Sequence, residues 1–383
     1  MVIKNASVYT EDGRFLIRDI FIEGDRFAAG PADVSDKEEI DGSGCYAIPG
    51  LTDIHFHGCA GFDFCDGTRE AIEAMAAYEA SVGVTNIVPA TMTLSEDMLL
   101  GICKEAKAYR EENSGGEPAG EKRARLYGIN MEGPFVSVAR KGAQNEEYIS
   151  KPDAAMFDRL SEAAGHMVKL IAIAPEVDGA MEFIEEKHGE VVMSLAHTAA
   201  DYDTAVRAFE KGASHVTHLY NAMNPYTHRA PGVIGAAADA AKAEVELICD
   251  GVHIHPAAVR ATFRLFGDDR IIMISDSMRA TGLLDGDYTL GGQYVKVVGN
   301  LATLKDGTIA GSVTNLMDCL RTAVLKMGIP IESAVKCTTV NPAKSVGIYD
   351  VCGSITPGKR ANVVLLKKEN LDLKQVVLEG RLL

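Results

Sequence analysis

Two histidines placed two positions apart, His55 and His57, close an apolar run (YAIPGLTDI) and lead into glycine. Side chains alternate faces along a strand, so both imidazoles point to one side and can grip one cation. Solvated surface histidines are the ordinary explanation of such a pair, but the apolar lead-in puts this one at the end of a buried strand. Other groups stand in matching places. Glu132 lies in NMEGPF before a Gly133-Pro134 turn, His197 follows VVMSLA, His218 follows HVT, and Asp276 stands in SDSMRATG after the apolar RIIMI. A core histidine or a turn-capping aspartate would explain any single one. Four His and one Glu at strand ends argue instead for a common divalent metal site of one or two ions. Zinc is the first expectation, with iron, cobalt or manganese as alternatives, and open positions are left for water and substrate.

Asp276 is the expected general base. A bound divalent ion lowers the pKa of its water to roughly 7, and a carboxylate beside that water takes the proton and passes it to a leaving nitrogen. Arg229, in the NPYTHRAPG loop beyond His218, can clamp an anion in bidentate fashion, with Asn221 and the Ala222 amide placed to help. His215, three positions before His218, faces the other way and is structural. His166 and His188 fall in helical stretches and belong at the surface, and His255 belongs to a helix start.

Something must bring these separate stretches together. Eight short apolar or β-branched runs, from CYAIPGLTDIHFH through VTNIVPATMT, ARLYGINMEGP, VKLIAIAPE, EVVMSLAH, ASHVTHLY and EVELICDGVH to RIIMISDS, alternate with stretches of helical period such as REAIEAMAAYEASVG and HPAAVRATFRLFG. Repeats of this size predict an α/β fold of the TIM type, a (β/α)8 barrel whose C-terminal strand ends share one mouth. The first 45 or so residues and the last 25 read as short strands around turns, which predicts a small discontinuous β-sandwich domain formed by both termini. The expected division is 1–48 and 346–383 for the small domain, and 49–345 for the barrel. The polar segment 111–122 (EENSGGEPAGEK) should be an exposed loop without catalytic residues, and 286–311 a β excursion over the active face.

Length and composition agree. A chain of 383 residues with 47% hydrophobic content can bury a large core. Its formal charge of -16, with no Lys/Arg run, disfavours nucleic acid as a partner. No signal-peptide pattern or membrane-length apolar stretch is visible, and the eight cysteines lack framework spacing, so a reduced, cytoplasmic protein that leaves membranes alone is expected.

The motifs PGLTDIHFHG, MEGPF, KGAQN, LAHT, THLYNAMNP with a following RAPG, CDGVH, SDSMRATG and IAGS occur in this order along nearly the whole chain. In them the sequence resembles the N-acetylglucosamine-6-phosphate deacetylases of the amidohydrolase superfamily. PGxxDxHxHG speaks only for amidohydrolases, whereas HLYNAM with a downstream Arg, and DGxH, are specific to this branch. The resemblance implies hydrolysis of an acetamide on a small-molecule sugar phosphate, with metal ligation by Glu132, His197 and His218 and catalysis by Asp276. It also implies substrate contacts from Ala143, Asn221, Ala222, Arg229, Asp250, Gly251, Val252 and His253, and from Ile309, Ala310 and Gly311, with His253 stabilising the oxyanion. Some members lack the first-strand His pair; retention of His55 and His57 implies a second ion bridged by Asp276. A barrel lysine that bridges metals in related hydrolases is replaced by Glu132. A homodimer is implied, in which a neighbouring subunit contributes to the phosphate site. The galactosamine epimer is the alternative substrate, and a catalytically inactive scaffold barrel the remote alternative.

Overall fold

The computed structural model describes residues 1–36, 38–113 and 122–383. The architecture is mixed α/β. Leu51–Asp53 pairs in parallel with Val84–Ile87, which pairs in parallel with Arg125–Leu126. Six further strands, Ile129–Met131, Val168–Ile173, Val192–Leu195, His215–Val216, Glu244–Ile248 and Ile271–Ile274, form one parallel sheet in chain order. A parallel bridge between Ala90 and Asn130 joins the two sets. Beyond the first and last strands, His57 donates its backbone N–H to Ser277 O (2.7 Å) and Asp276 to His55 O (2.9 Å).

These strands are apolar on both faces, as Ile271–Ile274 with every residue buried illustrates, because helices cover the sheet. Most connecting helices start where the sequence supplies a side-chain cap. Thr68, Ser95, Asp153, Asp201, His255 and Asn315 each accept a backbone N–H at the first turn of the helix that follows. His255 is therefore a helix cap, as expected. Among the described residues no helix is long and apolar enough to cross a membrane, and all eight cysteines are free thiols.

Strands from both termini make one hydrogen-bonded sheet. Val2–Tyr9 pairs antiparallel with Phe15–Glu23 and parallel with Cys45–Pro49, and Cys45–Pro49 pairs antiparallel with Val363–Lys367. This sheet has its own apolar core, with Ile3, Val8, Ile22, Phe27, Val363 and Val377 fully or almost fully buried. Val346, Ile348 and Cys352 pack instead with Ile54, Leu170 and Ile274 under the parallel sheet.

One expected element differs. CYAIPGLTDIHFH reads as a single strand, but the chain breaks it at Gly50: Cys45–Pro49 stays in the terminal sheet and Leu51–Asp53 enters the parallel one. Gly50 donates its N–H to Asn362 O and Leu51 donates to Gly83 O, so consecutive peptides serve different sheets. A Cβ at Gly50 would lie 2.2 Å from Thr85 Oγ1, so only glycine passes here. The polar segment expected as a loop starts inside a helix, since Glu96–Glu112 reaches its first two residues; positions 114–121 lie outside the described residues. The expected β excursion is a three-stranded antiparallel meander, Gly286–Leu290, Gln293–Val298 and Leu301–Thr303.

Gly50→Ala should lower the unfolding free energy by about 1–3 kcal/mol through overpacking against Thr85. Urea denaturation followed by circular dichroism checks this, and an unchanged midpoint would show that Thr85 gives way freely.

Candidate active site

The strand-end residues singled out in the sequence meet around one carboxylate. Glu132 follows the strand Ile129–Met131 and is almost fully buried. Its Oε1 lies 3.0 Å from His197 Nε2, 3.0 Å from His218 Nε2 and 3.4 Å from His55 Nε2, and its Oε2 lies 3.3 Å from His57 Nε2. Asp276 Oδ1 completes the set, 3.3 Å from His57 Nε2 and 3.8 Å from His55 Nε2.

The backbone reaches this arrangement at a cost. His197, His218 and Asp276 all have positive φ, 43°, 30° and 51°, a left-handed conformation that costs a non-glycine residue on the order of 1–3 kcal/mol. Each stands just beyond a parallel strand, where a sharp reversal swings the side chain over the sheet end. Asp276 is held there by its own N–H on His55 O and by its carbonyl, which accepts from Ser312 N (2.7 Å). Strain at three converging polar residues, absent from the strands behind them, marks the place as built for chemistry rather than stability.

The far nitrogens fix which way the rings face. His55 Nδ1 is 2.8 Å from Glu246 Oε2, and His197 Nδ1 is 3.2 Å from the Arg140 carbonyl. A carbonyl can only accept, so His197 carries its proton on Nδ1 and turns an Nε2 lone pair inward. His197 Nε2 and His218 Nε2 face each other at 3.1 Å. Two inward-facing imidazole nitrogens and a carboxylate oxygen meeting inside a buried pocket need positive charge or a shared proton between them. Without an ion, protons must supply it. Burial opposes ionisation of Glu132, yet the surrounding imidazoles, His55 and His197 foremost, hold its carboxyl well below the usual range. Burial would likewise depress His57, but Asp276 and Glu132 outweigh it and push the ring up to about 10. His55, His57 and Glu132, and Glu132, His197 and His218, are the two groups whose donor atoms are close enough to hold a divalent cation, with Glu132 common to both. The all-N/O donor set fits such an ion.

These groups open onto a cavity of about 490 Å³ that His57, Glu132, His197, His218, His253, Asp276, Ala143, Asn221, Ala222, Ile309 and Gly311 help to line. Leu290, Asp306 and Thr308, from the meander and the loop after it, add a wall. The excursion thus covers the active face, tied down by Gln293 donating to Ala143 O. Asp250 turns to its own loop, where its carboxylate accepts from Val252 N, His253 N and His253 Nδ1 (2.7 Å). Asp250, Gly251, Val252 and Ala310 are outside the cavity lining, and so is Arg229, exposed on its loop. His215 is buried with Nδ1 2.8 Å from Ser194 Oγ, and His166 and His188 are exposed. A second cavity, about 310 Å³, with Arg125, Tyr127 and Arg360 in its wall, lies beside the strand Arg125–Leu126, away from these groups.

The amidohydrolase family model matches residues 46–383. The chain belongs to the amidohydrolase family. This amidohydrolase is 37% identical over 369 residues to N-acetylglucosamine-6-phosphate deacetylase of Bacillus subtilis (strain 168), covering 96% of this chain and 90% of that protein. It is 34% identical to N-acetylgalactosamine-6-phosphate deacetylase of Escherichia coli O157:H7, covering 87% and 86%. A solved structure from Mycobacterium smegmatis, an N-acetyl-D-glucosamine-6-phosphate deacetylase mutant in complex with N-acetyl-D-glucosamine-6-phosphate, superposes with a TM-score of 0.90 at 30% identity, covering 100% of this chain and 98% of that one.

Two residues that sequence reasoning missed bear on the amidohydrolase site. Gln144 donates from Nε2 to Glu132 Oε2 (2.7 Å) while its Oε1 accepts from Thr93 N (2.7 Å), which fixes the central carboxylate. Glu246 holds His55 from behind. The first lies in the KGAQN motif, from which the resemblance carried over only Ala143; the second shows itself as a charged residue inside the apolar strand EVELI.

Glu132→Gln should bring the divalent-metal content of purified protein close to zero while the fold survives, because both candidate groups lose their common carboxylate. Elemental analysis checks this, and metal retained at the wild-type level would remove Glu132 from the ligand set.

Proposed function

We propose that this amidohydrolase hydrolyses the acetamide of N-acetyl-D-glucosamine 6-phosphate to D-glucosamine 6-phosphate and acetate, in amino-sugar breakdown or recycling. The observation that carries this reading is the donor cluster around Glu132, with Asp276 and His253 facing the same cavity. Full-length likeness to a protein solved with that sugar phosphate supports the substrate.

His55, His57, Glu132 and Asp276 would hold one divalent ion and Glu132, His197 and His218 another, zinc first and iron, cobalt or manganese otherwise. Such an ion supplies Lewis-acid polarisation of an amide carbonyl and acidifies water. Asp276 is kept ionised by His57 and His55 despite its burial. It removes the proton from the attacking water and delivers it to the sugar nitrogen as the C–N bond breaks, releasing acetate. His253 gives its Nδ1 to Asp250, and although burial lowers its pKa, the Asp250 hydrogen bond raises it further. The protonated ring then offers Nε2–H to the oxygen that gains negative charge.

Ala143, Asn221, Ala222, Ile309 and Gly311 on the cavity wall are the sugar contacts. Asp250, Gly251, Val252 and Ala310 act from behind it, by shaping the His253 loop and the wall segment. Arg229 is the phosphate clamp. Its exposure suits a homodimer in which a neighbouring copy completes the phosphate site. The galactosamine epimer is the weaker reading, because the B. subtilis relative is more alike than the E. coli one. An inactive scaffold would have no use for a complete donor set. A closed (β/α)8 barrel at 49–345 is supported by the hydrogen bonds between His55, His57, Asp276 and Ser277, with 1–48 and 346–383 as a β-sandwich domain. Free thiols and a phosphorylated substrate suit the cytoplasm.

Asp276→Asn should slow acetate release about 10²–10⁴-fold while the ion held by Glu132, His197 and His218 stays bound; full activity would exclude Asp276 as the base. Wild-type enzyme should release acetate from N-acetylglucosamine 6-phosphate faster than from its galacto epimer or the unphosphorylated sugar. Equal rates on all three would overturn the substrate assignment.

A further inference from the structure

Glu246, in the strand Glu244–Ile248, is fully buried, the ion-pair partners it has among the described residues are His55 and His215, and nothing in the proposed reaction uses it. A charged group at 0% exposure is costly unless its oxygens find partners. Oε2 finds two: it is 2.8 Å from His55 Nδ1 and accepts the His218 backbone N–H at 3.1 Å. Oε1 has no hydrogen-bond partner and lies 3.9 Å from His215 Nε2. One oxygen therefore touches two of the candidate metal-holding residues, each from the side away from Glu132. We propose that Glu246 is a positioning residue for the metal centre, holding the His55 ring with Nδ1–H toward itself and Nε2 toward Glu132, and pinning the strained main chain at His218.

The two contacts differ in kind, and that difference makes the proposal specific. His55 is held through its ring, so Glu246 sets both the tautomer and, by withdrawing the Nδ1 proton partway, the basicity of Nε2. His218 is held only through its N–H, so the electronics of its ring are untouched. His197 takes its Nδ1 support from the Arg140 carbonyl and does not depend on Glu246 at all. Loss of the Glu246 charge should therefore weaken the His55, His57 and Glu132 group selectively and spare the group of Glu132, His197 and His218.

This inference rests on the metal-dependent reading of the site. Chelator-treated wild-type protein and Glu246→Gln, which keeps the shape and one accepting oxygen, are each titrated with cobalt(II), following the visible absorption spectrum and the bound metal by elemental analysis. The expected result is a 10–100-fold weaker affinity for one ion, about the usual effect of losing such a supporting group, with a shifted absorption band for that ion and the other ion's affinity unchanged. Identical isotherms and spectra for the two proteins would overturn the role of Glu246 alone, whereas a wild-type protein that takes up no cobalt would overturn the metal reading and this inference with it. A purely structural role would weaken both ions together and leave the bands in place, which also counts against the proposal. Should Glu246→Gln not fold, nitrogen–proton correlation spectra of the wild-type imidazoles, assigned through His55→Asn, decide the matter. A metal-loaded His55 with its proton on Nδ1 supports the proposal, and one with its proton on Nε2 refutes it.

Discussion

A single, almost fully buried carboxylate, ringed by four imidazole nitrogens at hydrogen-bonding or near-hydrogen-bonding range, is the constraint around which the rest of the molecule is arranged. Lone pairs at such separations repel unless positive charge lies between them, and the low polarisability of the surroundings magnifies the repulsion. Everything that keeps the groups in place must oppose that force. The parallel strands supply rigidity, the left-handed turns at His197, His218 and Asp276 supply direction, and a surrounding layer of Gln144, Glu246 and the Arg140 carbonyl supplies orientation.

That layer explains how strain can be tolerated. Three residues in a sparsely populated backbone region would relax if their neighbours allowed it. They are held instead by main-chain bonds that cross between the first and last strands, from Asp276 to His55 and from His57 to Ser277, by Glu246 on the His218 N–H, and by the Ser137 N–H on His197 O. The residues that do chemistry thus depend on partners that do none. Asp250 is a further example: by capping its own turn it stiffens the segment on which His253 is carried.

Much of this was legible in the chain because strand-end residues write a simple pattern. An apolar run followed by a polar residue of unusual type marks a sheet edge, and His55, Glu132, His197, His218 and Asp276 all obey it. Of the helix caps, His255 was read from the sequence as a helix start. What escaped was non-local. Gln144 reaches Glu132 from a loop whose path no periodicity encodes, and Glu246, though a charged residue inside an apolar strand, does not name the partner it meets. Which residue breaks the run CYAIPGLTDIHFH was not legible, because a run of apolar residues does not say which of two sheets each half joins. The substrate contacts drawn from resemblance carry residue identity without direction, which is why Asp250 and Arg229 appear off the cavity wall.

The change of sheet at Gly50 also bears on how the two parts of the molecule respond to stress. With neighbouring peptide units bonded to different sheets and a threonine side chain filling the space a larger residue would need, the junction contains no slack. Relative swivelling of the small unit about this point would break main-chain bonds on one side or the other. The terminal strands therefore behave less like an appendage than like a brace, and melting of either part should drag the other with it in one cooperative transition.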